Sequence, residues 1–479
     1  MKKHISLYLL SILALMLSSC NDSELNLYPE SRLTDESFYK NETELQQAAN
    51  DAYRQLSRIY NAGGIPDLYG ELASDNVYIK AASGGNTWPE DINKHQPRPD
   101  NGKLEQAWAE AYNAIYIINN ILHKLEKTTV IFGTKELKER LIAEAKTIRA
   151  IIYFNLVQAW GDVPFPLTVV SPKDSYNYLR EKKDVIYTQL ISDLTESKLN
   201  LPPSYTGKDV GRITKYAATA VLAKIYATQG NKTNAANELK EIIDSNLYSL
   251  DANRDGVIDV DDYGYLFRET VKNSKESILE AQYLAGENNV NSSHQTIYAP
   301  WDFAFHLPGS TITFRGDGLN TPSENLVAEY EANDPRKNLS LSTEFIEIQT
   351  SNPVNYPYTL KFYDPNYLYP GQNVEIIRYA DILLLYSEVT GNVSYLNQVR
   401  ARVGLPGFGE GGYPAEAYST LELALEHERR VELAFEFHRF FDLVRTNRAQ
   451  NVLNITADKL LFPIPQSVID VNSAIRQNP

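Results

Sequence analysis

Apolar residues in the first half of the chain recur at alternating steps of four and three. Leu104, Trp108, Ala111, Ile115, Ile118, Leu122 and Leu125 mark one face of a helix predicted from about Lys103 to Lys127, with Asp100 and Asn101 placed to cap its start. A second stripe of Leu141, Ala145, Ile148, Ile152 and Leu156 predicts a helix from about Lys135 to Trp160, stopped by Gly161 and Pro164. Each stripe needs a neighbour to bury it. Lys215 to Thr228 carries small residues at Ala217, Ala220, Ala223 and Ala227, which let two helices approach closely. Gln229-Gly230-Asn231 reads as a turn, and Asn234 to Ser245 as an amphipathic helix with Ala235, Leu239, Ile242 and Ile243 inward. From about Leu284 to Tyr369 the period is lost. Pro, Gly, Asn, Ser and aromatics predict long ordered loops with short strands, and loops of that length usually carry function. Helical spacing returns over Tyr379–Thr390, Val393–Val403 and Leu421–Thr446, before an extended Leu461-Phe462-Pro463-Ile464-Pro465.

The alanine-rich helix, glycine turn and amphipathic helix of 215–245 resemble a tetratricopeptide unit in packing logic, without its strict repeat length. The fold expected is mainly α. Tetratricopeptide-like hairpins form a curved scaffold that acts by binding, beside a loop-rich C-terminal part with short strands and further helices. The organisation expected is a signal peptide at 1–19, a helical region at 20–250 and a C-terminal region at 251–479.

Composition narrows the class. With 479 residues, 43% hydrophobic and 22% charged, the chain is neither collagen-like, disordered nor polytopic. The formal charge of −15 falls to about −17 once the two lysines of Met1–Ser19 are removed, which speaks against nucleic acid as a partner. Tyrosine is abundant, at 32 residues. Its flat ring and hydroxyl suit helix interfaces and amphipathic ligands alike. The single cysteine, Cys20, rules out internal disulfides and cysteine metal clusters. Lys2-Lys3, the apolar run Leu7–Leu17 and Leu17-Ser18-Ser19-Cys20 form a signal peptide too short to span a membrane. The pattern resembles a lipobox, which implies acylation of Cys20 by palmitate-type chains and a lipid anchor in the outer membrane. The acidic spacer Asn21-Asp22-Ser23-Glu24 is similar to those that accompany export to the cell surface.

Several segments together resemble the SusD-like (RagB/SusD) family. They are Tyr28-Pro29, Glu71-Leu72-Ala73-Ser74-Asp75-Asn76, Arg149-Ala150, Trp160-Gly161-Asp162-Val163-Pro164 and Gly211-Arg212-Ile213-Thr214-Lys215. Further on come Asp334-Pro335-Arg336, Arg378-Tyr379-Ala380-Asp381, Asn397-Gln398-Val399-Arg400-Ala401-Arg402, Glu428-Arg429, Glu432-Leu433, Phe462-Pro463-Ile464-Pro465 and Gln477-Asn478-Pro479. Their order over nearly the whole chain carries the resemblance. It implies a non-catalytic cell-surface lipoprotein that captures oligosaccharides, or in some members peptides. Such a protein sits as a lid on a SusC-like TonB-dependent transporter.

The chemistry of single segments adds two sites. Asp251, Asn253, Asp255, Val257 (through its carbonyl), Asp259 and Asp262 stand at positions 1, 3, 5, 7, 9 and 12 of a calcium loop, with Gly256 at the sharp turn. Ile258 is expected to pack inward. Asp262 in place of the usual Glu resembles dockerin-type loops, and a structural Ca2+ is expected. Sugars stack on rings and need bidentate polar partners. Two segments offer both: Asp75, Asn76, Tyr78, Asn86 and Trp88, and Tyr298, Trp301, Phe303, Phe305 and His306. The SusD-like resemblance implies ligand loops at about these two places.

Glu428, Glu432 and Glu436 stack along one stripe, and Arg378, Arg400 and Arg402 are available to pair with them. A structural ion network is therefore expected rather than a catalytic carboxylate pair. His427-Glu428-Arg429-Arg430-Val431 lacks the second His of a zinc protease, and no Gly-x-Ser-x-Gly or phosphate-binding glycine loop occurs. The readings left open are a glycan binder, a peptide binder of the same architecture, a secreted glycoside hydrolase using two carboxylates, and a scaffold that binds only proteins.

Overall fold

The helices begin where short polar side chains take up free amides. The computed structural model describes residues 39–80, 87–171, 173–301, 304–306, 313–314, 316–366 and 368–479. In it, Asn101 accepts from the amides of Lys103 and Leu104 at the head of Gly102–Lys127. Thr134 does the same for Lys135–Trp160, and Gly161 ends that helix at φ +73°, a setting that favours glycine. Thr214 caps Lys215–Thr228 and Asn231 caps Lys232–Asp244. The signal segment 1–19, Cys20, Tyr28-Pro29, Asn86 and Phe303 lie outside the described residues.

Consecutive helices pack side by side. Gly102–Lys127 lies on Lys135–Trp160, which lies on Lys183–Asn200, then Lys215–Thr228, then Lys232–Asp244. Ala217, Ala220 and Ala223 are fully buried, so this hairpin closes on small side chains. Beyond the loop-rich segment, Tyr379–Thr390 packs onto Lys232–Asp244 and carries the row on to Val393–Arg402 and Leu421–Glu432. The fold is mainly α and tetratricopeptide-like. Residues on both sides of the 250/251 boundary, Leu239 and Ile377 among them, share one apolar core. The pattern read from sequence does not single out Glu42–Ile59 or Lys183–Asn200; both are helices.

Strands are short and antiparallel. Val77–Tyr78 pairs with Thr321–Pro322, and Ser277–Ala281 with Val374–Arg378. A four-stranded sheet orders Thr313–Phe314, Phe305–His306, Leu341–Glu347 and Pro353–Thr359 over its own small core of Phe305, Phe345, Tyr356 and Tyr358. No helix among the described residues is long and apolar enough to cross a membrane.

The helix predicted over 421–446 is in fact two, Leu421–Glu432 and Arg439–Arg445. Between them Phe435 and Phe437 both sit at φ +66°, strained for any side chain but glycine. Their amides donate at 3.2 and 3.3 Å to the buried carboxyl group of Glu71. Gly70 lets the two segments meet, since a Cβ there would lie 2.0 Å from the Phe437 carbonyl oxygen. A buried carboxyl group, pushed up to about 8 by its desolvation, accepts two amides here and outweighs helical periodicity.

Candidate ligand-binding face

Two of the loop regions singled out by their aromatic and polar residues meet in space. Val77–Tyr78 pairs with Thr321–Pro322, and Tyr78 stays half-buried opposite Thr321. Lys80 extends from the same strand, donates to the Asn355 carbonyl at 2.7 Å and covers the Tyr356 ring at 4.4 Å. The Tyr356 hydroxyl meets the Trp301 amide and the Thr321 side chain. Trp301, also half-buried, bridges to Gly316, where a Cβ would collide with the Ala299 carbonyl oxygen at 2.3 Å. Next to Gly316, Asp317 feels the charge of Lys103, and Lys103 lies 5.5 Å from the ring centre of Trp88. Tyr78 and Trp301 thus come together around Lys80 and Tyr356, while Trp88 lies beside Lys103, whose charge reaches Asp317 next to Gly316. Burial raises the Asp317 carboxyl, and Lys103 opposes the rise. Desolvation, then Tyr356 and Glu324, raises the Tyr78 phenol. The arrangement offers ring faces beside amine, carboxyl and hydroxyl groups, the set that a polyhydroxylated ligand needs.

Four residues grouped with this face by sequence do other work, Phe305 by filling the small core of the sheet at 1% exposure. Tyr298 is 3% exposed and gives its hydroxyl to Asp67 at 2.5 Å. Asn76 is 1% exposed, donates to Glu71 at 3.0 Å and accepts from Arg430 at 3.0 Å. Asp75 is gripped by both forks of Arg439 at 2.7 and 2.9 Å and by Arg430 at 3.1 Å. Burial alone would raise the Asp75 carboxyl; Arg439 and Arg430 outweigh it and hold it below the usual range. These residues support the face from beneath. A polar residue in a loop sequence does not reveal whether it points to solvent or down onto an arginine far along the chain. Lys80, Lys103, Asp317 and Tyr356, which sequence reasoning passed over, carry only the weak signal of lying beside aromatic loop residues.

Under the face lies the expected ion network. Arg378 donates to Glu276 at 2.7 Å, Glu432 at 2.5 Å and Glu436 at 2.7 Å. Arg336 holds Asp334, Glu428 and Glu432; Arg400 holds Glu428 and Glu331; Arg402 holds Glu276 and Glu432. Lys361 reaches Glu436 at 2.6 Å. Fully buried Tyr263 lays its ring against Lys361, Arg378 and Arg402. Each glutamate of the 428/432/436 stripe therefore has cationic partners.

Asp251–Asp262 winds as a loop around its own amides. Gly256, at φ +88°, donates to Asp251 at 3.2 Å; Asp255 accepts from Val257; and fully buried Asp262 accepts from Asn253 and Asp259. Asp251 Oδ1 is buried without a hydrogen-bond partner, as an oxygen reserved for a cation would be. Among the described residues no three His, Cys, Asp or Glu side chains are gathered at metal-holding distance. Ile258, expected to pack inward, is instead 52% exposed. The loop runs straight into Val260–Tyr265, whose Tyr263 enters the ion network.

A family model described as "SusD family" matches residues 193–479, and one described as "Starch-binding associating with outer membrane" matches residues 25–227. This chain belongs to the SusD family. "SusD-like protein P25" and "SusD-like protein P2" of Formosa agariphila are 23% and 26% identical to it. The first match covers 94% of both chains, the second 98% of this one and 97% of the other. Among solved structures, a "Laminarin binding SusD-like protein" is 26% identical, with a TM-score of 0.77 over 92% of this chain and 100% of its own. "Surface glycan-binding protein A from Bacteroides thetaiotaomicron in complex with laminarihexaose" shares the fold at 21% identity, with a TM-score of 0.74 over 92% of this chain and 100% of its own. The family likeness thus spans both the helix stack and the loop-bearing half.

Proposed function

We propose that this member of the SusD family is a glycan-binding lipoprotein, anchored through Cys20 to the outer membrane and facing outward. On this reading it captures oligosaccharides on the Trp88–Trp301–Tyr78 face and passes them to a SusC-like TonB-dependent transporter without altering them. The observation that carries the reading is the convergence of Tyr78 and Trp301 around Lys80 and Tyr356, with Trp88 beside Lys103, on a chain related to a laminarin-binding protein. A hydrolase would need two carboxyls free to act, whereas Glu428, Glu432 and Glu436 are each engaged by cations. The outer-membrane setting rests on the lipobox and on the family description.

Calorimetry with laminarin and a panel of neutral and charged polysaccharides tests the reading. Binding of at least one glycan, with no new reducing ends, is expected. No binding to any glycan, or product release that one Glu or Asp substitution abolishes, would overturn it. Co-purification from membranes tests the transporter: a large outer-membrane barrel protein should accompany the native chain and be lost on Cys20→Ser. The loop at 251–262 is proposed to hold a structural Ca2+ through Asp251, Asn253, Asp255, the Val257 carbonyl, Asp259 and Asp262.

A further inference from the structure

One titratable group sits at the joint between the ion network and the aromatic face. His427 is buried on Leu421–Glu432, and both of its ring nitrogens face carboxylates. Nδ1 lies 2.7 Å from Glu329 Oε1, and Nε2 lies 3.3 Å from Glu331 Oε1. A neutral imidazole has one N–H and one lone pair, so one nitrogen would then point a lone pair at an anion. Only the imidazolium satisfies both contacts. The Tyr418 ring stacks on it at 3.9 Å and gives its hydroxyl to the same Glu329 oxygen at 3.0 Å.

What His427 grips leads directly to the face. Glu329 is the last residue of Glu324–Glu329, the helix that follows the strand Thr321–Pro322 paired with Val77–Tyr78. At the start of that helix, Ser323 donates its amide to the Asn76 carbonyl at 2.8 Å and its hydroxyl to the Asp75 carbonyl at 2.7 Å. The other Glu329 oxygen takes Arg430 at 3.1 Å, and Arg430 reaches back to Asp75 and Asn76. A closed loop of contacts thus runs from Glu329, which His427 grips, through Ser323 to Asp75-Asn76, two residues before Tyr78, and back through Arg430.

We infer that His427 is a positioning residue for the aromatic face and does this work only as the imidazolium. The inference deepens the glycan-binding reading and rests on it. Loss of the proton breaks one of the two carboxylate contacts, frees the Glu324–Glu331 turn and slackens the strand pair that carries Tyr78. Charges surround the ring on every side: Glu329 and Glu331 on the turn and Glu428 on its own helix, with Arg430, Arg400 and Arg336 behind those carboxylates. Burial alone would lower the His427 pKa, but the bonds to Glu329 and Glu331 outweigh it and hold it above the usual value. The clamp is therefore complete below a pH of about 6.5, the unfolded value, and is lost as pH rises through the raised folded value.

The test has two arms on the intact mature protein. Histidine-labelled NMR, with His427→Gln used only to assign the resonance, should show His427 titrating above about 6.5. Laminarin affinity, measured across the same pH range, should fall at least about fivefold through that midpoint. Glu331→Gln, which weakens the longer His427 contact and the Arg400 pair on the same oxygen but leaves Glu329 in place, should move both midpoints to lower pH together. The inference is overturned by a His427 that titrates at or below the ordinary value, by affinity that is flat through its titration, or by midpoints that part in Glu331→Gln. If laminarin binds at no pH, the glycan reading is at fault instead. Amide exchange at Asn76–Tyr78 and Ser323–Glu329 must then quicken through the His427 midpoint, and unchanged exchange there overturns the inference alone.

Discussion

Leu239 and Arg378 are both buried where one part of the molecule packs on another, at 0% and 1% exposure. Leu239 belongs to the helix stack, where alanines and branched side chains fill a stripe that any helix of that spacing would present. Arg378 belongs to the loop-bearing half, where the contacts are ionic and join Glu276, Glu432 and Glu436 across long stretches of chain. The stack tolerates small errors of fit, because dispersion and burial are non-directional. The loop base does not, because a buried charge without its partner is far costlier than a buried methyl without its neighbour. Long loops that hold ligand rings need a stiff floor, and here a directional network supplies it.

Breaking each region should expose that difference. Arg378→Ala leaves three buried glutamates each short of a cation, Glu276 with Arg402, Glu432 with Arg402 and Arg336, and Glu436 with Lys361, and should cost about 3–5 kcal/mol, read by urea unfolding. Leu239→Ala opens a cavity in the stack and should cost about 3 kcal/mol. If Arg378→Ala proves the milder of the two, the network is not the floor of the loops. Acid sharpens the same contrast. Burial raises Glu432 and Glu436, but Arg402 and Arg378 at the first, and Arg378 and Lys361 at the second, outweigh it and leave both below the usual carboxylate range. Groups depressed in the fold contribute stability above about pH 4.5 that is lost as pH falls through their folded values. Thermal melts from pH 7 to pH 3 should therefore decline steeply below about pH 4.5, and Leu239→Ala should keep that slope while Arg378→Ala flattens it.

The two regions also differ in how far sequence reasoning reaches. The stripes from Leu104 to Leu125 and from Leu141 to Leu156 place their helices to within a residue or so, because period and cap are local properties. The break at 433–438 was hidden because its cause, Glu71, lies more than three hundred and fifty residues earlier. Asp75, Asn76 and Tyr298 look like ligand residues for the same reason. Their partners Arg439, Arg430 and Asp67 are adjacent only once the chain has folded. Lys80 over the Tyr356 ring and Lys103 over the Trp88 ring are likewise links that no spacing announces.

On the face itself effects should be smaller and confined to binding. Trp301→Ala and Trp88→Ala should each weaken glycan affinity by about 1.5 kcal/mol, roughly tenfold, if each ring stacks on one sugar. The melting temperature should move little, since both rings are half-buried and stand outside the ion network. Equal loss of stability and of binding would mean that the tryptophans are packing residues and that the ligand sits elsewhere.

The smallest effect expected belongs to the loop at 251–262, and it bears on how the two regions are joined. Asp262 is held by the amides of Asn253 and Asp259, and the next residue, Tyr263, is the ring against which Arg378, Arg402 and Lys361 lie. A cation on Asp251, Asp255 and Asp262 would fix the loop between the end of the stack and that ring. With Asp at position 12, affinity in the weak range of extracellular calcium loops is expected, on the order of 0.1–1 mM. At about 1 mM calcium the ion then adds roughly 1 kcal/mol, a rise of about 1 °C in melting temperature that chelator reverses. Asp251→Ala with Asp255→Ala should erase the response to calcium and leave glycan affinity within about twofold, because the loop meets the ion network and not the aromatic face. A calcium response that survives the double substitution would move the ion to another site, and a calcium-dependent glycan affinity would show that the floor transmits to the face what happens at its joint with the stack.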